Sequence, residues 1–246
     1  MALQEEFESL GNRFFRWRSY LPLFMAVLFL AALLTQRGAA SPDHPDRPWQ
    51  TACLLVSLAG LVLRFFTVGF APRGTSGRNT LGQVAETLNT TGMYSLVRNP
   101  VYLGNFLIWL GLSLFIKVWW CTVIVILCFT LFYERIIFAE EAFLRERFGA
   151  AFTDWAVSTP AIIPHFKNWR APSLPFSWKS ALKREYSSWF ATISSFTVLA
   201  ILRDSLQNGR LRLDKNWLVI FAFSLVIYLS IRTLKKKTQI LSTVDR

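Results

Sequence analysis

The sequence predicts an all-α integral membrane protein of about six transmembrane helices, with a central helical hairpin and an amphipathic helix at its N-terminus. Three observations lead there. Of 246 residues, 53% are hydrophobic and only 17% are charged. Several apolar runs approach the ~20 residues that a bilayer crossing needs. Lys and Arg are divided unevenly between the loops, as the positive-inside rule requires.

The elements follow in order. Leu3, Phe7, Leu10, Phe14 and Trp17 recur every three or four residues, while Glu5, Glu8, Asn12, Arg13 and Arg16 fall largely elsewhere. This is an amphipathic helix over residues 1–19, lying on the inner leaflet or packed on the bundle as an extension of the first span. It is no cleavable signal, because the start is acidic and no small-residue cleavage site follows the apolar run. The expected spans are Tyr20–Thr35, Trp49–Phe70, Val101–Ile116, Val118–Ala139, Tyr186–Leu202 and Trp217–Ile231. Lys117 alone separates the third from the fourth, so these two form a tight hairpin. Four segments result: the interfacial helix 1–19, two spans in 20–72, a core with the hairpin and a cytoplasmic segment in 73–170, and two further spans with a basic tail in 171–246.

With a cytoplasmic N-terminus, the far side receives only Arg37, Arg47, Lys117, Arg203, Arg210, Arg212 and Lys215. Most other Lys and Arg fall inside, and both termini are then cytoplasmic. The net charge of +12 suits an anionic membrane surface. It is spread among loops and not gathered on a soluble module, which disfavours nucleic acid. Cys53, Cys121 and Cys128 lie in or near spans, and His44 and His165 fall on opposite faces, so no metal site is expected.

Candidate chemistry gathers at the inner end of the hairpin. Pro100 suits a first helical turn, and antiparallel helices of similar length return Glu140 and Glu141 to the face that holds Arg98. Tyr102, Gly104 and Asn105 lie just inside the membrane. Upstream, the polar segment Gly74–Thr80 carries Arg78 and Asn79, with Arg73 before it, and can wrap a polar ligand or form a plain surface loop. Arg64 sits within a span, a functional candidate by default, although Phe70 is only about 9 Å of rise away and snorkelling is open to it.

Arg98-Asn99-Pro100-x-Tyr102-x-Gly104 resembles the Arg-His-Pro-x-Tyr-x-Gly signature of the isoprenylcysteine carboxyl methyltransferase and phospholipid methyltransferase superfamily. Glu140-Glu141-x-x-Leu144, Phe148-Gly149, Phe152, Trp155, Pro160 and Pro164 resemble its second signature. The resemblance implies S-adenosylmethionine as methyl donor and a membrane lipid as acceptor. It implies catalytic positions at Arg98, Asn99 and Tyr102. Tyr102, Gly104, Asn105, Glu140 and Glu141 would bind the cofactor, whose cationic groups favour partly desolvated carboxylates. Arg64, Arg73, Arg78 and Asn79 would bind the acceptor, as arginines suit a lipid phosphate.

The signature histidine is Asn99 here, which offers hydrogen bonds but cannot titrate. An anionic acceptor needs no base, so Asn99 points to an oxyanion. Ser76–Ser95 is similar to a bacterial subgroup that includes a lipid A 1-phosphate methyltransferase, which implies an inner-membrane location. Carboxyl methylation of an isoprenoid substrate and N-methylation of a phospholipid headgroup stay open. So do two other classes: a nicotinamide-dependent membrane reductase, and a membrane protein in which the motif is idle.

Overall fold

A computed structural model describes residues 2–38, 46–72 and 83–241. Within these residues the secondary structure is helical: α1 (Leu3–Trp17), α2 (Leu21–Leu34), α3 (Arg47–Phe70), α4 (Met93–Leu96), α5 (Pro100–Phe115), α6 (Trp119–Phe148), α7 (Ala150–Ser158), α8 (Trp178–Asn208) and α9 (Lys215–Lys237). Each of the six expected spans coincides with one of these helices, no end lying more than one residue outside it. Four stretches are long and apolar enough to cross a bilayer: Leu3–Leu34, Arg47–Phe70, Trp119–Phe148 and Lys215–Lys237. Pro100–Phe115 is apolar but shorter, and α8 is long but polar at its ends. The chain is an all-α integral membrane protein.

The helices overrun the apolar runs because helical hydrogen bonding does not stop where hydrophobicity does. α6 has 30 residues and spans about 45 Å, well beyond the ~30 Å hydrocarbon layer. Its inner part therefore leaves the bilayer, with Glu140 about 32 Å of rise from Trp119. α1 packs along this inner part. Phe14 stacks on Phe132 at 4.9 Å and Phe7 meets Phe138 edge-on at 5.8 Å, so the amphipathic face is turned toward α6.

α5 makes its most extensive packing with α3, not with its hairpin partner. Cys53, Ser57, Gly60 and Arg64 form a stripe on α3 that meets Gly104 and Gly111 of α5. A Cβ at Gly104 would lie 2.8 Å from the Gly60 carbonyl and 2.6 Å from Arg64 Cγ. Small residues let the two backbones approach, the usual device where lipid removes the hydrophobic drive between helices. Lys117 turns the hairpin with a φ of 60° and pairs with Asp46, which caps α3 by accepting from the Trp49 amide. At the same outer end Phe115, Phe196 and Trp217 pack together, and Trp217 Nε1 donates to Gln50 Oε1 at 3.0 Å. This ties α3, α5, α8 and α9.

Candidate functional site

The end of the bundle that holds Arg98 and Glu140 is built by a chain that folds back on itself. Gly149, at φ 54°, breaks the helix between α6 and α7, a backbone state that favours glycine. α7 then packs Phe152 and Trp155 inward, and Trp155 Nε1 donates to the Tyr94 carbonyl at 3.1 Å. The segment after α7 runs back past α4. Arg98 N donates to the Pro160 carbonyl at 2.9 Å, His165 N to that of Leu96 at 2.9 Å, and Gly92 N to that of Arg170 at 3.0 Å. Burial pushes the Tyr94 phenol up, with the negative charge of Glu140 adding to it, so Tyr94 stays protonated at any physiological pH.

The structure brings the two motifs together. Arg98 meets Glu141 as a fork, Nε to Oε1 at 2.8 Å and Nη2 to Oε2 at 3.2 Å. Its Nη1 donates to the Ala156 and Thr159 carbonyls at 2.7 and 2.9 Å. Tyr102 donates its hydroxyl proton to Glu140 Oε1 at 2.7 Å. The neighbouring carboxylates thus have different environments: Glu141 is neutralised by Arg98, whereas Glu140 forms no ion pair among the described residues. Arg18, between α1 and α2, acts electrostatically on both Glu140 and Tyr102.

Four of the expected site residues have partners within the protein. Arg98, expected at a catalytic position, has four of its five N–H groups engaged. It clasps α6 to the end of α7. Asn99, also expected at a catalytic position, donates Nδ2 to the Ala161 carbonyl at 3.1 Å and anchors the returning segment. Gly104, expected to bind the cofactor, packs against α3. Arg64, expected to bind the acceptor, is paired with Glu185 of α8, Nε to Oε2 and Nη2 to Oε1, both at 2.8 Å. Its Nη1 also donates to Asn105 Oδ1. Arg73, Arg78 and Asn79 lie outside the described residues, as does His44.

The sequence reading missed Glu185, Tyr133, Arg18, Thr159 and the cavity of about 260 Å³ beside Thr159. Trp155, Trp169, Thr90, Ser158, Lys167 and Arg170 line that cavity. Glu185 had a signal, a lone acid among Lys179, Lys183 and Arg184 at the start of an apolar run. Among the described residues no group of three or more His, Cys, Asp or Glu could hold a metal ion.

The profile of the family described as Phospholipid methyltransferase matches residues 50–151. The chain is 34% identical over 153 residues to the "Cobalt-zinc-cadmium resistance protein CzcN" of Cupriavidus metallidurans, a match covering 61% of this chain and 68% of that protein. It is 32% identical over 148 residues to the "Nickel-cobalt-cadmium resistance protein NccN" of Alcaligenes xylosoxydans xylosoxydans, covering 59% of this chain and 67% of that protein. The chain belongs to the phospholipid methyltransferase family, within the isoprenylcysteine and phospholipid methyltransferase superfamily. No solved structure matches it.

Proposed function

We propose that this protein transfers a methyl group from S-adenosylmethionine to an oxyanion of a membrane lipid, at the cytoplasmic face. The observation that carries the reading is Glu140: a carboxylate oriented by Tyr102 and without an ion pair among the described residues. A partly desolvated carboxylate of this kind favours a cationic ligand. Methyltransferases of this family generally use S-adenosylmethionine, whose sulfonium and ammonium groups are cations. The residues present fit it. Glu140 would hold a cationic group, and the cavity beside Thr159 is lined by Trp155 and Trp169 together with Lys167 and Arg170. When bound, the cofactor supplies an electrophilic methyl group.

The chain's own residues bind and orient. Tyr102 sets the direction of the Glu140 carboxylate, and the Arg98–Glu141 fork fixes the height at which α6 presents it. Asn99 moves no proton, which suits an acceptor already ionised at neutral pH, such as a phosphate. With Arg64 and Arg98 engaged internally, the reading assigns such an anion to Lys167 and Arg170, which line the cavity beside Thr159, and Arg73, Arg78 and Asn79 belong to the same proposal. The similarity of Ser76–Ser95 to the lipid A 1-phosphate methyltransferase subgroup makes that phosphate the first acceptor to test, in a bacterial inner membrane.

The test is transfer of radiolabelled methyl from S-adenosylmethionine into total membrane lipid by the purified protein. A mass gain of one methylene on a phosphate lipid is the expected result. Label released as methanol by mild base would point to a carboxyl acceptor. Stable label on an amine headgroup would overturn the oxyanion reading. Binding of a reduced nicotinamide cofactor in place of S-adenosylmethionine would overturn methyl transfer itself.

A further inference from the structure

Arg64 on α3 and Glu185 on α8 pair in the inner part of the bundle, with their side chains 14% and 3% exposed. Arg64 Nη2 also donates to Ser188 Oγ at 3.3 Å. Apolar residues of equal volume commonly stabilise such a position as well or better than a buried ion pair. The contacts beyond the pair supply another reason for it. Arg64 donates to Asn105 Oδ1 on α5, three residues beyond Tyr102 and therefore beside it on the helix surface. The Tyr133 ring packs against Tyr102 with centroids 4.7 Å apart, and Tyr102 donates to Glu140. The arginine stem has little freedom, because Gly104 packs directly on its methylenes.

We infer that Glu185 and Arg64 are positioning residues for the Tyr102–Glu140 site. The ion pair fixes Asn105 and the arginine stem on which Gly104 packs, these hold the first turns of α5 in place, and Tyr102 there, packed on Tyr133, sets the direction of the Glu140 carboxylate. α8 lies outside residues 50–151 matched by the family profile, so this chain of contacts is how the last helical pair takes part in the site. The mechanical link is independent of the proposed cofactor. Only its effect on cofactor affinity rests on that reading.

The experiment uses the full chain in detergent micelles, labelled with 3-fluorotyrosine. The sequence has six tyrosines, and Tyr102→Phe and Tyr133→Phe assign the two fluorine resonances of interest. Glu185→Gln is compared with the double variant Arg64→Met/Glu185→Leu, which replaces the pair by apolar volume, and with Glu185→Asp. The expected result is that the Tyr102 and Tyr133 resonances shift in the first two, even where the double variant unfolds at the wild-type temperature. Affinity for S-adenosylmethionine falls about tenfold in both, and Glu185→Asp retains resonances and affinity. A stable double variant with unmoved resonances and wild-type affinity would make the pair purely structural and overturn the inference. Resonances that shift in a protein whose wild type binds no S-adenosylmethionine would uphold the link and reject the cofactor. Should the double variant not fold, Asn105→Leu interrupts the same chain one contact further on, and unmoved resonances there overturn the inference equally.

Discussion

Glu140 and Glu141 are consecutive in α6 yet answer to different forces. Glu141 faces a guanidinium fork, and Glu140 faces only a hydroxyl among the described hydrogen bonds. Glu141→Gln leaves Arg98 without its counter-charge and should lower stability by about 3 kcal/mol, read as a fall in unfolding temperature. Glu140→Gln should leave that temperature nearly unchanged and weaken S-adenosylmethionine binding by ~2–5 kcal/mol, read by calorimetry. Equal effects of the two variants on both quantities would show that the carboxylates share one role. Much of this pairing was legible in the sequence, because a hairpin of two similar helices must return residues 140 and 141 to the level of 98 and 102. What was not legible was occupancy. The carbonyls of Ala156, Thr159 and Ala161 that engage Arg98 and Asn99 belong to no side chain, so no motif announces them.

Among the elements, the most extensive seam is the one between α3 and α5. A Cβ at Gly104 would meet a carbonyl and an arginine stem, neither with room to give. Gly104→Ala should therefore cost about 1–3 kcal/mol by overpacking, with a lower unfolding temperature as the measure. An unchanged temperature would mean that the two helices separate without penalty. The sequence showed each helix and concealed their adjacency. Spacing along one helix reveals which residues share a face, but nothing in the stripe Cys53–Ser57–Gly60–Arg64 says which helix it meets. The same reasoning applies to α7, which begins where Gly149 turns the chain and had appeared only as motif residues.

For the whole molecule, charge distribution carries the proposed orientation. The end proposed to face outward carries Lys117 paired with Asp46, Arg47 with Asp214 at 2.8 Å and Arg203 with Asp204 at 3.1 Å. The end proposed to face the cytoplasm collects the longer basic stretches. Cysteine substitution tests the assignment directly, since the three native cysteines are buried or half-buried. In intact cells an impermeant maleimide should label exposed Arg210→Cys from outside, and should reach exposed Arg147→Cys only after the membrane is opened. The reverse pattern would place the site on the other face and remove the case for a cytoplasmic cofactor.

The Arg64–Glu185 contact joins residues 121 positions apart, and that separation is also an interval of time. A ribosome adding about 10 residues per second completes α3 some 12 seconds before it reaches Glu185. During that interval the nascent third helix holds an arginine in the membrane with no counter-charge, and only reach toward the headgroups can accommodate it. Synthesis that stops after Ser177 would make this state permanent and present it to quality-control proteases. A chain ending there should be short-lived in pulse-chase labelling, and Arg64→Leu in that shortened chain should lengthen its lifetime. Equal lifetimes with and without the arginine would show that the waiting helix bears its charge at no cost.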